Sequence, residues 1–443
     1  AKVASGQPVR MIESGPAAGA LAAGLISKVF EIDNLISFDM GGTTAKACLI
    51  QNGEPLITGE FEVDRRYRFK PGSGMPITVP SVDMIEIGAG GGSIARVDEL
   101  GLLKVGPESA GSSPGPACYG LGGFKPCVTD ADVFLGILDP DNFLGGSMLL
   151  DISACESAIH RLSSELQVKA IDAAYGIYSL VGEAMASAAR THATDRGVSY
   201  RGLPLLAFGG AGPIHACYVA EQLESSKVIF PMMASVLSAY GTMVTPIRLD
   251  MVRSSPMRLE DLDWERADKL IAQMILEGQS ALVEAGLSSE SIAYQYSIDM
   301  RYLGQQTEIT VPLEHRPDAE TSKNTFVGNF EREYTNLYGL CMEDMDLEVV
   351  AWRVSASCPA TRRDTVFVSE PKFGGLKTTR KVYFGNDYQQ TPVFDRALLG
   401  KGQTIEGPCI IEERETTILV LPDWTLSVSS QGALIAVRAE GNP

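Results

Sequence analysis

The sequence predicts an α/β fold followed by a strand-rich, mixed α+β domain. In the N-terminal half, apolar strand patterns alternate with glycine turns and helix patterns. An amphipathic helix pattern begins near residue 259, and alternating strand patterns dominate after it. The chain has 443 residues, which is too long for one ordinary core. We therefore expect two domains, residues 1–254 and 255–443.

A helix and a three-stranded antiparallel meander are the first predicted elements. The segment ESGPAAGALAAGLISKVF predicts a helix of small residues, with Ser14 as its N-cap and Pro16 in its first turn. The segments NLISFDM, AKACLIQ and EPLITGEFEV have strand patterns. Asn52 and Gly53 between the last two strands are a strong hairpin signal.

The later elements continue the alternation of strands and helices. A region rich in glycine and proline, about 71–150, precedes a mostly helical one, 153–196. LPLLAFGG then predicts a strand, AGPIHACYVAEQL a helix and SKVIF another strand. The predicted C-terminal strands are YSIDMRYL, TEITVPL, RKVYF, CIIEER and TTILVLP.

Composition excludes several classes of function. The net charge is -18 and there is no basic run, so we expect neither nucleic acid nor an anionic membrane as a partner. No apolar stretch is long enough to span a bilayer. The eight cysteines occur singly, which predicts reduced, buried thiols in a cytoplasmic protein.

The first candidate site is the loop in ISFDMGGTTAKACLI, between the first two strands. A tight turn at Gly41 and Gly42 exposes backbone N–H groups that bind anions without net positive charge. Thr43 and Thr44 add hydroxyl donors, and Asp39 at the strand end suits Mg²⁺ and the placement of water. A sharp structural hairpin is the alternative interpretation.

A second glycine loop, in LLAFGGAGPIHA, joins a strand to a helix. Gly209, Gly210 and Gly212 permit a base or ribose to approach, and the helix N-terminus attracts phosphate. A close strand-to-helix turn is the structural alternative. A D-x-G-G-T hairpin followed by such a turn is the two-part arrangement of the actin, sugar-kinase and acetate-kinase superfamily, which is ribonuclease H-like. In that superfamily ATP lies between two related halves.

Eight ordered segments between residues 9 and 436 resemble the N-methylhydantoinase A and 5-oxoprolinase family, which is related to the acetone carboxylase beta subunit. The segments are RMIESGPAAGA, FDMGGTTAK, MIEIGAGGGSIARVD, SAGSSPGPACYG, VTDADVFLG, AFGGAGPIHA, DMRYLGQQTEITVP and RKVYFGNDYQQTPVFDRALL. The resemblance implies an actin-like ATPase half that uses ATP and Mg²⁺ or another divalent metal.

It also implies ATP-dependent opening of a cyclic amide (hydantoin, N-methylhydantoin or 5-oxoproline) by phosphoryl activation of the carbonyl oxygen. Carboxylation of a ketone such as acetone or acetophenone, and a non-catalytic actin-like scaffold, are the alternatives. Family members begin with a further N-terminal domain that has its own D-x-G-G-T loop, and this chain has one such loop. We therefore expect that domain, a hydantoinase B-type subunit or domain, and a homo- or hetero-oligomer as partners.

Two carboxylates precede the glycine-rich stretch of VDMIEIGAGGGS. We expect Asp83 to bind a divalent metal and Glu86 to act as a catalytic carboxylate on water. Solvated or capping carboxylates are the alternative. Elsewhere Asp130 is expected to cap a helix, and Cys118 is expected to have a structural role.

Overall fold

The computed structural model describes residues 8–59, 61–63, 72–77, 79, 81–321, 323–342, 345–358 and 374–439. The α-helices of these residues are α1 (Ser14–Val29), α2 (Val128–Phe134), α3 (Ile152–Leu166), α4 (Ala170–Asp195), α5 (Gly212–Gln222), α6 (Leu237–Val244), α7 (Trp264–Glu284) and α8 (Lys323–Tyr338).

The strands up to the middle of the chain are β1 (Leu35–Met40), β2 (Ala45–Gln51), β3 (Glu54–Pro55), β4 (Ile57–Thr58), β5 (Phe61–Val63), β6 (Met75–Ile77), β7 (Ser81–Val82), β8 (Met84–Ile87), β9 (Ser93–Val97), β10 (Leu103–Ser109), β11 (Leu205–Phe208) and β12 (Lys227–Phe230). The remaining strands are β13 (Ile247–Arg258), β14 (Ala293–Tyr302), β15 (Ile309–Leu313), β16 (Leu347–Cys358), β17 (Leu376–Tyr383), β18 (Tyr388–Asp395), β19 (Thr404–Glu406), β20 (Cys409–Glu412), β21 (Thr417–Val420), β22 (Trp424–Val428) and β23 (Leu434–Arg438).

The chain forms two compact units, and the second is inserted into the sequence of the first. The first unit comprises Ala1–Met243 and Asp364–Pro443, and the second comprises Val244–Arg363. This differs from the prediction of one C-terminal domain over 255–443. The reason is that β23 pairs antiparallel with β12 and so extends the sheet of the N-terminal segment. A strand pattern predicts which residues are extended, but it does not identify the partner strand.

A mixed sheet organises the first unit. In the described residues it has nine strands in the order β19-β22-β23-β12-β11-β1-β2-β3, with β8 also paired to β2. The strands β1, β11 and β12 are parallel to one another, and β1 and β2 form the predicted antiparallel hairpin. Alternate residues of β1 face opposite cores, since Phe38 and Met40 pack in the core that contains α4 and α5, whereas Leu35 packs with α1.

The predicted third strand of the meander is wrong over most of its length. Only Glu54–Pro55 of EPLITGEFEV pairs with the end of β2, and the beginning of β2 pairs with β8 instead. Pro55 has no N–H to donate, so this segment cannot continue a regular ladder. The exchange brings Glu86, in β8, next to β2.

An antiparallel sheet forms the second unit, in the order β13-β16-β14-β15. Its core contains Trp352 from β16, Phe326 and Phe330 from α8, and Ile271 and Met274 from α7. The amphipathic pattern predicted in this region is therefore confirmed as α7, whose apolar stripe is buried.

All eight cysteines are free thiols, as predicted, and seven are buried while Cys341 is exposed. Among the described helices, none combines the length and apolar character needed to cross a bilayer.

Candidate functional site

Two glycine loops lie against each other at the end of β1. The loop between β1 and β2 is joined to residues 88–92 by two backbone hydrogen bonds. Gly91 N donates to Gly41 O at 3.1 Å, and Gly92 N donates to Gly42 O at 2.7 Å. The sequence identified both loops, and the structure brings them together.

Close approach of these loops requires glycine at position 90. A Cβ atom added to Gly90 would lie 2.6 Å from the backbone of Gly42 and of Thr43. A Cβ added to Gly41 or Gly42 would instead meet no atom within 4 Å. One side of the β1–β2 loop is thus packed, and the other faces open space that a ligand can enter.

The third glycine loop follows β11 and contacts the same strand end. Ala211 N donates a hydrogen bond to Met40 O at 3.0 Å, and α5 begins at Gly212. Gly209 has a φ of +87°, and an added Cβ would lie 2.3 Å from Met40 O and 2.5 Å from Asp39 Oδ1. Because β1 and β11 are adjacent and parallel, their loops emerge at the same edge of the sheet.

Asp39, Lys46 and Glu86 form a polar row across β1, β2 and β8, which we call the acid–lysine row. In the sheet register Asp39 is paired with Lys46, and Lys46 is paired with Glu86. Lys46 Nζ lies 2.9 Å from Glu86 Oε1 and also donates a hydrogen bond to Thr44 Oγ1. The side chain of Lys46 is only 16% exposed. The predicted catalytic residues Asp39 and Glu86 therefore share one cation.

Burial sets the electrostatics of this row. Burial raises the pKa of Asp39, against the opposing effects of the Lys46 charge and a hydrogen bond from Ser238. Burial also raises the pKa of Glu13, and the negative charge of Glu86 raises it further, while Lys46 lowers it. Glu13 is thus a fourth member of the cluster that sequence reasoning missed.

The position of Glu13 depends on how α1 begins. The N-cap of α1 is Glu13 and not the predicted Ser14, and Glu13 has a φ of 59° with no side-chain capping bond. A left-handed conformation is uncommon for residues other than glycine, and such residues occur preferentially at functional sites. Sequence spacing gives no indication of this conformation.

Asp83, the other predicted metal ligand, does not belong to the acid–lysine row. Its carboxylate forms a bidentate ion pair with Arg196, at 2.5 and 2.6 Å, at the C-terminal end of α4. His192 lies beside this pair, and burial lowers the pKa of the imidazole. Helix α4 packs in the core opposite to that of α1, so the structure does not bring Asp83 together with Asp39. In the described parts of the chain, no three His, Cys, Asp or Glu side chains are grouped to hold a metal.

Asp130 has a structural role at α2. Its carboxylate accepts hydrogen bonds from the backbone N–H groups of Ala117, Cys118 and Cys127, at 3.1, 2.7 and 2.8 Å. The N-cap itself is Cys127, and Asp130 at the third helical position closes a capping box. Burial raises the pKa of the Cys118 thiol, which agrees with the structural role expected for this cysteine.

A cavity of about 160 Å³ opens beside the three glycine loops. Its boundary includes Gly42, Gly91 and Gly210, one from each loop. Apolar side chains and the segment 412–417 form the other walls, with Leu138, Phe143 and Ile214 among the apolar groups. This is smaller than the roughly 300–1,000 Å³ of sites that enclose a whole drug-sized ligand, so it suits one part of a ligand.

Comparison with known proteins identifies relatives along the whole chain. A family model described as hydantoinase/oxoprolinase matches residues 1–251, and one described as hydantoinase/oxoprolinase C-terminal domain matches residues 268–430. An uncharacterized protein of Methanocaldococcus jannaschii is 37% identical over 98% of this chain and 63% of its own length. The caprolactamase subunit alpha of Pseudomonas jessenii is 35% identical over 95% of this chain and 60% of its own.

The acetophenone carboxylase gamma subunit of Aromatoleum aromaticum is 32% identical over 98% of this chain and 60% of its own length. The fold is similar to the crystal structure of ATP-dependent caprolactamase from Pseudomonas jessenii, with a TM-score of 0.77 and 34% identity over 96% of this chain and 62% of that chain. The chain thus spans less than two thirds of the length of these relatives. By sequence and by fold, it belongs to the hydantoinase/oxoprolinase family.

Proposed function

We propose that this chain is part of an ATP-dependent enzyme that opens a cyclic amide. The observation that carries the proposal is the convergence of three glycine loops and the acid–lysine row at one edge of the sheet. The relative from Pseudomonas jessenii is named a caprolactamase, and its solved structure is described as ATP-dependent. Caprolactam is a cyclic amide, so that relative supports this substrate class.

The first unit is the proposed actin-like half of a nucleotide cleft. Support comes from the adjacent parallel strands β1 and β11. Strand β1 leads into the glycine hairpin that is proposed to bind phosphate, and β11 leads into a glycine turn followed by α5. In this proposal Gly41, Gly42, Thr43 and Thr44 donate hydrogen bonds to phosphate oxygens. Their recognition is local, because the chain as a whole carries a net charge of -18.

The nucleoside is proposed to lie against the third loop, which contains Gly209, Gly210 and Gly212. The α5 N-terminus adds a positive dipole end to this loop. The cavity of about 160 Å³ borders Gly42 as well as Gly210. One ligand can therefore reach the β1–β2 loop and the cavity at the same time.

Asp39 is the proposed holder of Mg²⁺, and its surroundings fit that ion. Magnesium is bound by one or two carboxylates, with waters and substrate phosphates completing its shell, so a three-residue protein cluster is not required. Asp39 lies at the edge of the β1–β2 loop, where phosphate is proposed to bind. Bound Mg²⁺ neutralises charge on the phosphate oxygens. Another divalent ion with the same preference for oxygen ligands, such as Mn²⁺, is the alternative.

Phosphoryl transfer accounts for the need for ATP in opening an amide ring. The amide carbonyl is resonance-stabilised, and moving the γ-phosphoryl group of ATP to its oxygen, with release of ADP, makes the carbon electrophilic. Water then adds to that carbon, the C–N bond breaks as the nitrogen takes up a proton, and the acyl phosphate that remains is hydrolysed to carboxylate and phosphate. The loops then act by positioning and charge neutralisation. Glu86 is the proposed general base that takes a proton from the attacking water, and Lys46 holds its carboxylate in place.

Carboxylation of a ketone is the second candidate function. The likeness to the acetophenone carboxylase gamma subunit favours it, at 32% identity compared with 35% for the caprolactamase subunit. Phosphorylation of an enol oxygen requires the same loops. Both relatives are named as subunits, which supports a multi-subunit assembly with a hydantoinase B-type partner.

Phosphate release by the full-length protein with its second subunit tests the proposal. ATP is supplied with caprolactam, hydantoin or 5-oxoproline, or with acetone and bicarbonate, each in a separate reaction, and ring-opened or carboxylated product is measured by mass spectrometry. Turnover of a cyclic amide is the expected result. If only the reaction with acetone and bicarbonate gives product, the result supports the carboxylase function. If no substrate is turned over, the result supports the non-catalytic scaffold.

A further inference from the structure

A buried carboxylate without a hydrogen-bond partner borders the cavity beside the glycine loops. Asp132 lies in α2 and is 1% exposed, and its Oδ1 atom has no hydrogen-bond partner among the described residues. Leaving a buried acceptor unpaired lowers the stability of the folded protein. When such an acceptor lies at the wall of a ligand cavity, a ligand that donates a hydrogen bond to it restores the lost stability.

The other carboxylate oxygen of Asp132 faces a histidine. Asp132 Oδ2 lies 3.6 Å from His215 Nε2, in the first turns of α5, and His215 is fully buried. Tyr178 packs on the imidazole with ring centroids 4.8 Å apart. At 3.6 Å the carboxylate and the imidazole are neighbours without a hydrogen bond, and neither ring nitrogen of His215 has a hydrogen-bond partner among the described residues. Oδ1 of Asp132 is left for a partner that the described part of the chain does not supply.

Several other polar groups around the cavity already have hydrogen-bond partners in the protein. Thr129 Oγ1 donates to Gly91 O at 2.8 Å, and Thr416 Oγ1 donates to Gly210 O at 2.9 Å. Glu412 accepts hydrogen bonds from Asn142, Lys377 and Arg380. Glu413 Oε1 also has no hydrogen-bond partner among the described residues, but the guanidinium of Arg396 lies 3.6 Å away and compensates its charge. Asp132 Oδ1 has no hydrogen-bond donor among the described residues, and no lysine or arginine pairs with Asp132 there, so it is the acceptor that we assign to a ligand donor.

We propose that Asp132 accepts a hydrogen bond from the exocyclic amino group of the nucleobase, and so makes the site selective for adenine. This rests on the proposed function, which places the nucleoside at the third glycine loop. The cavity is of a size for one part of a nucleotide, and its apolar side chains suit the faces of a flat base. The amino group of adenine donates to a carboxylate, whereas hypoxanthine has a carbonyl oxygen at the same ring position and is repelled by it.

The inference is tested by comparing two diphosphates in the full-length protein. ADP is titrated by calorimetry beside purine riboside 5′-diphosphate, which lacks only the amino group. The wild-type protein is expected to bind ADP roughly 10- to 100-fold more tightly, the range for a hydrogen bond to a charged group. Asp132→Leu, which removes the acceptor at similar volume, is expected to bring this ratio close to one.

Two further variants separate recognition from structure. Asp132→Asn keeps an acceptor oxygen and is expected to retain part of the preference for ADP. Asp139→Leu makes the same change at another carboxylate of the cavity wall, which already accepts a hydrogen bond from Asp141 N at 3.0 Å. It is expected to alter the affinities of both diphosphates by the same factor, so that their ratio is unchanged.

Equal binding of the two diphosphates by the wild-type protein would overturn the role of Asp132, and this measurement needs no variant to fold. A preference for ADP that persists in Asp132→Leu would also overturn it. If the wild-type protein binds neither diphosphate, the proposed nucleotide site fails, and the role of Asp132 fails with it. These results differ, so the failure of each proposal is recognised separately.

Discussion

Lys46 Nζ lies 2.9 Å from Glu86 Oε1, and in the sheet register Lys46 is also the partner of Asp39 on the opposite side. One largely buried lysine therefore serves two carboxylates on neighbouring strands, and its charge also lowers the pKa of Glu13. The lysine is adjacent to the proposed phosphate-binding loop. Its charge is thus available both to the protein and to an anionic ligand.

Replacing this lysine is predicted to weaken nucleotide binding. Lys46→Met keeps the aliphatic stem but removes the charge, so the carboxylates face incoming phosphates without compensation. We expect roughly a tenfold or greater loss of affinity for Mg-ADP in the full-length protein, the scale of one charge-assisted hydrogen bond. Titration calorimetry at two salt concentrations checks this. Unchanged affinity in Lys46→Met would remove the lysine from the proposed site.

Asp39→Asn is predicted to abolish turnover while increasing stability at neutral pH. Losing one preorganised electrostatic group at a reacting phosphate costs about 100-fold or more in rate. Burial in the folded protein raises the pKa of this carboxyl above its ordinary value, so its contribution to stability is complete below the ordinary pKa and is lost as pH rises through the raised pKa. The neutral amide avoids this loss.

Thermal unfolding of both proteins between pH 4 and pH 8 checks the second part. Asp39→Asn is expected to unfold at a higher temperature than the wild-type protein at pH 8, with the difference shrinking towards pH 4. A variant that is less stable at pH 8 would show that the contacts of Asp39 outweigh its burial. Near-normal ATP turnover would contradict its proposed catalytic role.

Two glycine-to-alanine variants are predicted to have different effects, one on ligand binding and the other on stability. An added methyl at Gly42 meets no atom within 4 Å, so Gly42→Ala is expected to fold normally but to obstruct the ligand. A methyl at Gly90 would lie 2.6 Å from backbone atoms, so Gly90→Ala is expected to lose roughly 1–3 kcal/mol of stability. Urea unfolding and ADP titration of both variants distinguish the effects. Normal ADP affinity in Gly42→Ala would contradict phosphate binding at that loop.

Asp83→Asn is predicted to affect stability and not the metal dependence of turnover. The substitution breaks the bidentate pair with Arg196, whose side chain is 34% exposed, and leaves its guanidinium with a weaker partner, so stability is expected to fall. The concentration of Mg²⁺ that gives half-maximal ATP turnover is expected to stay within about twofold of the wild-type value, since the pair lies in the opposite core from Asp39. A large increase in that concentration would restore the metal-binding role predicted from the sequence.

Local patterns of the sequence identified the two loops that the site depends on. The strand-turn-strand around Gly41 and the strand-turn-helix around Gly209 are each short enough for hydrophobic period and glycine spacing to define. The family resemblance is confirmed as well. The meeting of the loops was expected only from resemblance, because it depends on the parallel pairing of β1 with β11, which are about 170 residues apart in sequence.

Residues positioned by tertiary structure were outside the reach of sequence patterns. Glu13 joins the acid–lysine row through a left-handed backbone conformation, and Asp132 reaches the cavity from a short helix between loops. Asp83 shows the opposite case. It is three positions from Glu86 in sequence, yet its carboxylate pairs with Arg196 at the end of α4, because positions an odd number apart in an extended chain face opposite sides of the sheet.

The pairing of β23 with β12 has a consequence for biosynthesis. The first unit cannot complete its sheet until the ribosome has made residue 438, although most of that unit emerges before the inserted second unit does. In the meantime β12 offers an open row of backbone groups to any other nascent chain. A product truncated before residue 434 would therefore be prone to aggregation, even though every residue of the three loops had been translated.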